Sequence, residues 1–382
     1  MKIQKLYDDL MALVESPGKF YCVDHINTSN ERLRVFAYHV AQYEDWLKPS
    51  ALECRGIMFQ IDDDGKMIRL VSRPMEKFFN DKENPMTMNI DYKTAVSVMD
   101  KVDGSLISTY ITGEGDHQTF GLKSKTSISS DQAIAANRYI KLRENRVLFD
   151  FVEDCSFMGI TVNMEYTAPN NRIVLEYKEP KLTILNMRDN ETGDYVDFDT
   201  IPNHILNSLQ PWLVDEYDAS IAFEDDFVES IKAMVGIEGV IVRTPDIQTK
   251  IKTSWYVNLH RQKDSVSNPK RLVETVLNNH HDDLYSLFCH DQNTIDRIRE
   301  FELHVVDKLQ RDIANIQRHA AQNRHKSRKD YAIEGKRVTE PHLFGVYMNR
   351  YESINQDIYK QLVSVYLRRP ELLVPEKYLR EM

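Results

Sequence analysis

Between Asp291 and Glu334 the chain has neither glycine nor proline, and Ile295, Ile298, Phe301, Val305, Leu309, Ile313 and Ile316 recur every three or four residues. That spacing lays one apolar stripe along a long helix. Asn268-Pro269 marks an earlier helix start, an N-cap followed by proline at the first helical position. The texture before Trp255-Tyr256 is different. Apolar and β-branched runs recur at Phe20–Val23, Leu33–Val40, Cys54–Ile61, Met67–Ser72, Ala95–Met99, Leu106–Ile111 and Phe120–Lys123, separated by turns such as Asp62-Asp63-Asp64-Gly65. A leading helix precedes them. Ser130 to Phe151 again lacks glycine and proline and carries Ala133, Ala136, Ile140, Val147 and Phe151 at helical spacing, which predicts one amphipathic helix. Strands are expected at Ile160–Thr167, Ile173–Tyr177, Leu182–Met187, Gly239–Arg243 and Gln248–Thr253, with a helix over Phe223–Met234. The chain therefore divides near residue 256 into a mixed α and β domain, 1–256, and an all-helical domain, 257–382.

Composition narrows the class. Hydrophobic residues at 42% and charged residues at 28% describe globular material, and no apolar run is long enough to span a bilayer. The N-terminus lacks a signal-peptide core. Cys22, Cys54, Cys155 and Cys289 lie far apart with no Cys-x-x-Cys pair, which points to buried thiols in a cytoplasmic setting. The net charge of −10 excludes a generally basic nucleic-acid coat protein, but it hides an asymmetry. Residues 256–382 hold 21 Lys and Arg against 18 Asp and Glu, so the acidity belongs to the first two-thirds. The C-terminal third is the better place for a polyanion.

The residues that carry chemistry begin at Asp100-Lys101-Val102-Asp103-Gly104-Ser105, read as a strand end, a turn and a new strand. A lysine at a strand end can meet a ligand. Lys123-Ser124-Lys125 and Lys250-Ile251-Lys252 stand on expected strands, where side chains alternate and each pair places two amines on one face. Paired amines repel unless an anion lies between them; solvated edge strands are the ordinary alternative. Ile251 facing inward, with Trp255 close behind, makes Lys250 and Lys252 a half-buried strand. Glu165 stands in an otherwise apolar strand, where a buried carboxylate needs a partner. Glu238-Gly239 opens another strand. Arg55-Gly56 puts a guanidinium beside a glycine, and Lys77-Phe78-Phe79 adds a cation and two aromatics suited to phosphate contact and base stacking.

In this order the residues resemble the covalent nucleotidyltransferases: ATP-dependent DNA and RNA ligases and mRNA capping enzymes. Lys101-Val102-Asp103-Gly104 is similar to their motif I, Met164-Glu165-Tyr166 to motif III, Glu238-Gly239-Val240 to motif IV and Lys250-Ile251-Lys252 to motif V. The stretches Ala51–Phe59, Ser72–Asn80, Glu83–Ile90, Asp103–Tyr110 and Ile251–Tyr256, with His342-Leu343-Phe344-Gly345 in the helical third, resemble the T-even phage RNA ligase 1 family of tRNA-repair enzymes. The resemblance implies an α+β fold, with ATP-grasp-like antiparallel sheets and helices, followed by a helical RNA- or tRNA-recognition domain. It implies that Lys101 attacks the α-phosphate of ATP, that AMP passes to an RNA 5′-phosphate, and that a 3′-hydroxyl displaces it. Lysine attacks as the neutral amine, and the charge of Lys250, Lys252 and Mg2+ (or Mn2+) would favour that form.

By the same resemblance Glu165 holds the ribose, Glu238 helps to place metal, and Arg55, Lys77 and Lys125 grip phosphates with Phe79 near the adenosine. Gly104 belongs to the nucleotide site, and Asp103 either steers metal or orients Lys101. His280-His281-Asp282-Asp283 looks like a metal cluster by composition, Asp282 and Asp283 being its candidate ligands; a helix start explains it equally. Arg318–Lys329, with Arg324, Lys326, Arg328 and Lys329 and no acid, reads as a solvated helix end or an RNA-backbone contact. The expected partners are RNA ends, tRNA foremost, bound by a monomer away from membranes. Rival readings are a capping-type or DNA-sealing enzyme, or a non-catalytic RNA-binding protein with a vestigial nucleotide pocket.

Overall fold

The structure, a computed structural model, describes the chain except for residues 1, 16–17, 172–174, 176, 261–265, 267, 289–291, 353–356 and 382, and except for the side chains of 259, 260, 283, 286 and 287. The strand expected at Ile173–Tyr177 lies largely outside the described residues. Two compact units are present: Met1–Glu15 with Phe20–His260, and Ser16–Lys19 with Arg261–Met382.

The first unit is built on three sheets. In the first, β1 (Phe20–Ile26), β2 (Arg32–Tyr38), β3 (Ile57–Ile61) and β4 (Met67–Ser72) run antiparallel in chain order. Helix α1 (Lys2–Glu15) buries Leu6, Tyr7, Leu10 and Leu13 against Phe36, Ile57, Phe59 and Ile61. On the other face Leu33, Val35, Met58 and Val71 meet Tyr110. Because β3 is covered on both sides, every one of its residues is buried, and its sequence is apolar but for Gln60, which accepts from Arg69.

The remaining strands are β5 (Phe79–Asn80), β6 (Ser97–Asp100), β7 (Ser105–Thr112), β8 (Thr119–Ser124), β9 (Ile160–Thr167), β10 (Lys181–Asp189), β11 (Tyr195–Val196), β12 (Glu216–Tyr217), β13 (Gly239–Arg243) and β14 (Gln248–Lys252). The second sheet has the order β11-β10-β9-β7-β8 and the third β12-β6-β13-β14-β5. Short helices α2 (Tyr43–Trp46), α5 (Asn203–Leu209) and α7 (Ser254–His260) join them, and α6 (Phe227–Ala233) packs Phe227 and Ile231 on Val98, Val240, Val242 and Ile251. The helix expected over Phe223–Met234 is shorter, since Ala219–Phe223 forms a 3-10 turn capped by Asp218.

The second sheet is covered by two helices where the spacing predicts one. α3 (Asp131–Ile140) starts at the Ser130 cap and stops; α4 (Arg146–Phe157) follows a 3-10 turn at Arg143–Asn145. Asn145 is 3% exposed and donates its side-chain amide to the Tyr139 carbonyl at 2.7 Å, replacing the backbone donor that a continuous helix would supply. Ala136 and Ile140 reach the core as the spacing predicts, but beyond the break the buried face moves to Leu148 and Val152, leaving Phe151 part-buried and Val147 exposed.

The second unit is helical: α8 (Pro269–Leu277), α9 (His281–Leu287), α10 (Gln292–Asn323), α11 (Arg328–Val338), α12 (Phe344–Glu352) and α13 (Ile358–Leu367). Asn268 caps α8, accepting from the amides of Lys270 and Arg271. The α10 stripe Ile298, Phe301, Val305, Leu309, Ile313 and Ile316 is buried in one core. Arg318–Lys329 is not a plain helix end. It spans the last turns of α10, a turn, the Ser327 cap and the first residues of α11. No described helix is long and apolar enough to cross a membrane.

Candidate active site

Lys101 stands where the chain leaves one sheet for another. β6 ends at Asp100 and β7 begins at Ser105, yet β6 pairs with β13 and β7 with β9. The Asp103-Gly104 turn is therefore a crossing between sheets, not a hairpin. Three strand ends converge here, because Asp100 pairs with Val240 and Gly239 with Lys252. The Lys101 amide donates to the Gly239 carbonyl at 2.9 Å. Glu238, just before β13, holds the Lys101 amine at 2.7 Å and the Lys252 amine at 3.1 Å on one oxygen, with its side chain 4% exposed. Lys250 and Lys252 both line the same cavity, and Ile251 is buried among Val240 and Val242 on the opposite face.

Glu165 faces this cavity from β9. Burial pushes its pKa up to about 8; Lys101 opposes that rise, Glu238 adds to it, Arg55 opposes it and Asp103 adds to it. Gly104 lies close beneath the same strand, where a Cβ would sit 2.5 Å from the Tyr166 carbonyl oxygen and 3.0 Å from Glu165 Cγ. Asp103 is 2% exposed, and its carboxylate accepts from the Tyr256 hydroxyl at 2.8 Å and the Leu175 amide at 2.7 Å. Tyr256 in turn lies beneath the Lys252 amine, 5.3 Å from its ring centre. One buried tyrosine thus links the Lys101 turn to the end of β14.

Arg55 also lines the cavity, lies 5.6 Å from the centre of the Phe78 ring and reaches the Met75 carbonyl at 3.4 Å. Phe78 carries the Lys250 amine at 5.8 Å as well. Phe79, expected beside the adenosine, is instead 3% exposed and packed edge-on to Trp46; the cavity wall is Phe78. Lys77 lies among Tyr38, Trp46 and Phe79, closest to Phe79 at 4.9 Å, with Glu83 4.0 Å away. The Lys125 amine is 3.9 Å from the Tyr38 ring centre. Burial holds its pKa below the lysine range, and Tyr38 opposes this while Arg55 and Lys77 reinforce it. Arg55, Lys77 and Lys125 therefore form one electropositive group.

Among the described residues no three His, Cys, Asp or Glu side chains are arranged to hold a metal ion. The carboxylates lining the cavity are Glu165 and Asp100, with Glu238 behind them on the Lys101 and Lys252 amines, and Asp100 Oδ1 is buried without a hydrogen-bond partner. Burial, then Asp215 and Glu238, push Asp100 up to about 6. That donor set fits a hard cation arriving with phosphates, which needs one or two carboxylates, and not an all-protein cage. Asp282 and Asp283 fall in the first turn of α9. His281 faces Glu302 at 3.7 Å, and Tyr285 donates to Glu302 at 2.6 Å; the side chain of Asp283 lies outside the described residues.

In the basic stretch Lys326 pairs with Glu334 at 3.4 Å and Arg328 with Glu352 at 2.8 Å, while Lys329 is exposed. Arg324 acts on Arg350 from α12, whose guanidinium is held below its ordinary range by burial and by the Arg324 charge. Tyr256, Asp100 and Arg350 were not singled out by sequence reasoning, and Phe78 was offered only as one of two stacking aromatics. Tyr256, Asp100 and Arg350 carried no local signal of a site role.

Comparison with known proteins follows the same division. Residues 53–256 match the family described as RNA ligase, and residues 263–378 match T4 RNA ligase 1, C-terminal domain. The chain is 28% identical over 273 residues to an Autographa californica nuclear polyhedrosis virus protein named as a bifunctional polynucleotide kinase/RNA ligase, covering 65% of this chain and 36% of that one. It is 25% identical over 220 residues to RNA ligase 1 of bacteriophage TS2126, covering 56% and 53%. It thus spans about a third of the first relative and about half of the second. Among solved structures, Naegleria gruberi RNA ligase with PPi aligns at 10% identity and a TM-score of 0.36, covering 63% of this chain and 98% of that one. The RNA ligase match takes in more than half of the sequence, including Arg55, Lys101, Glu165, Glu238, Lys250 and Lys252, and the chain belongs to the RNA ligase family.

Proposed function

We propose that this protein is an ATP-dependent RNA ligase that joins 5′-phosphate and 3′-hydroxyl ends through a lysyl-AMP and an RNA-adenylate. The observation that carries the reading is the pairing of the Lys101 and Lys252 amines on one Glu238 oxygen, at a cavity also lined by Lys250, Arg55 and Glu165. A triphosphate entering between Lys250 and Lys252 supplies the negative charge those amines face. Lys252 can then turn from Glu238 to phosphate, which releases Glu238 from one of its two partners. The neutral Lys101 amine attacks the α-phosphorus, its N–P bond forms as the bond to pyrophosphate breaks, and AMP remains on Nζ. Lys250, Lys252 and Arg55 neutralise charge on the phosphate oxygens.

Glu165 faces the ribose, and Phe78 offers the nucleotide an aromatic wall. Asp103 acts as a positioning residue, since its carboxylate holds Tyr256 and the Leu175 amide. Glu238 and Asp100 would hold Mg2+ or Mn2+, whose charge favours the amine form of Lys101 and the departure of pyrophosphate. AMP then passes to an RNA 5′-phosphate, and a 3′-hydroxyl displaces it to seal the strand.

In this reading residues 1–256 carry adenylylation and 257–382 recognise RNA, of which a nicked tRNA is the proposed case. The thiols of Cys22, Cys54 and Cys155 suit a reducing cytoplasm, and the protein acts as a monomer. Intact-mass analysis after incubation with ATP and Mg2+ should show one added AMP in the wild type and none in Lys101→Ala. The variant should still seal a pre-adenylated RNA strand. An adduct that persists in Lys101→Ala removes the assignment, and labelling by GTP but not ATP favours a capping-type enzyme.

A further inference from the structure

The resemblance gives Lys125, just past the end of β8, to phosphate, and leaves without a role the lysine two residues earlier within β8, Lys123. Lys123 is one of the largest fully buried side chains of the protein, with no exposed surface. Its amine donates to the Gly56 carbonyl at 2.6 Å, a residue 67 positions earlier in the chain. Burial pushes its pKa down to about 7, with no other charge contributing. A methionine could fill this space without burying an amine, so stability alone gives little reason for lysine here.

What the amine holds is more informative. Gly56 has φ +101°, and a Cβ there would lie 2.5 Å from the Lys125 carbonyl oxygen and 3.3 Å from Lys123 Nζ. The Gly56 amide also donates to the Phe36 carbonyl at 2.8 Å. The glycine is held by β2 on one side and by the Lys123 amine of β8 on the other, with the Lys125 carbonyl packed close against it. The residue before it is Arg55, whose guanidinium lines the cavity. Two residues beyond Lys123 is Lys125, whose amine lies over Tyr38. Arg55 leads into the first sheet and Lys125 leaves the second, so nothing in the local sequence of either keeps the two cations together.

We propose that Lys123 is a positioning residue: its bond to the Gly56 carbonyl clamps the Arg55–Gly56 turn onto β8, so that Arg55 and Lys125 present to the same phosphate group. The inference rests on the ligase reading for the identity of that phosphate, but the clamp can be tested without it. In full-length Lys123→Met, backbone amides of residues 55–57 should exchange with deuterium faster than in wild type, while the thermal midpoint stays equal or rises. Ligation kcat should fall on the order of 10²-fold, the loss expected when a phosphate-gripping group is misplaced, with KM for ATP nearly unchanged. Arg55→Ala added to Lys123→Met should cost little more than either change alone, since both act through one guanidinium. Unchanged exchange at 55–57, or a loss of activity that tracks a lowered midpoint and adds fully to Arg55→Ala, overturns the clamp. A wild type that forms no adduct overturns the ligase reading instead, and leaves the exchange result to decide the clamp.

Discussion

Glu165 is the residue whose environment makes the sharpest demand. Its carboxyl is raised to about 8, from an ordinary 4.5, chiefly by burial. A raised carboxyl contributes stability that is complete below its unfolded pKa and is lost as pH climbs through the folded value. The unliganded protein should therefore lose stability between about pH 4.5 and 8, and Glu165→Gln should flatten that slope and raise the unfolding midpoint most at pH 8; equal slopes in urea melts refute it. Gly104 makes a steric demand instead. Gly104→Ala forces a methyl to 2.5 Å from a carbonyl of β9 and should abolish adduct formation, even where circular dichroism shows a folded protein. Lys250→Ala and Lys252→Ala should each slow adenylation by about 10²–10³ with the fold intact, as for other preorganised charges. Near-normal rates would leave them as structural cations, Lys252 on Glu238 and Lys250 over Phe78, on a strand paired on both sides.

At the scale of elements, the site depends on how separate sheets are locked together behind it. Glu53, at the end of a 3-10 turn, pairs with Arg73 at 2.7 Å and with Arg188 of β10 at 2.7 Å, all three largely buried. Burial pushes Glu53 up, but Arg188 and Arg73 outweigh it and hold the carboxyl below its usual range. Removing the carboxylate strands two guanidiniums, so Glu53→Ala should destabilise the protein by about 3–5 kcal/mol. The sign with pH is opposite to that of Glu165. Glu53 contributes its stabilisation above the unfolded pKa, and that is lost as pH falls through the folded value, so the gap between wild type and variant should close in acid. Denaturant melts at pH 7 and pH 4 measure it, and a pH-independent gap counts against the network.

For the whole molecule, the proposed division of labour gives RNA to the second unit, and its charge says where on that unit to test it. Lys326 and Arg328 are paired with Glu334 and Glu352, so the charge left for an anion lies at Arg324 with Arg350 and at the exposed Lys329. Neutralising Arg324, Lys326, Arg328 and Lys329 together should weaken RNA binding and reduce the slope of log affinity against log salt by roughly 0.7 per lost phosphate contact. The Lys101–AMP adduct should form as in wild type. Arg324→Ala with Arg350→Ala and Lys329→Ala should reproduce most of the effect. An unchanged affinity and salt slope would leave this stretch as a helix junction and nothing more.

Some of this was legible in the sequence because it depends only on near neighbours. Alternation along a strand put Lys250 and Lys252 on one side and Ile251 on the other, and a spacing of three and four made the α10 stripe visible. Proline after asparagine announced α8. The break between α3 and α4 was hidden, since it is made by a side-chain amide taking the place of a backbone donor and not by glycine or proline. Phe78 and Phe79 could not be ranked, because neighbouring residues face opposite ways and which one faces the cavity depends on the pairing of β5 with β14. The sharing of Glu238 between Lys101 and Lys252, the Tyr256 link to Asp103 and the Lys123 bond to Gly56 join groups brought together by sheet register across long separations. Residue types and local periodicity follow from the chain alone; which amine meets which carboxylate or carbonyl is decided only when the sheets are stacked.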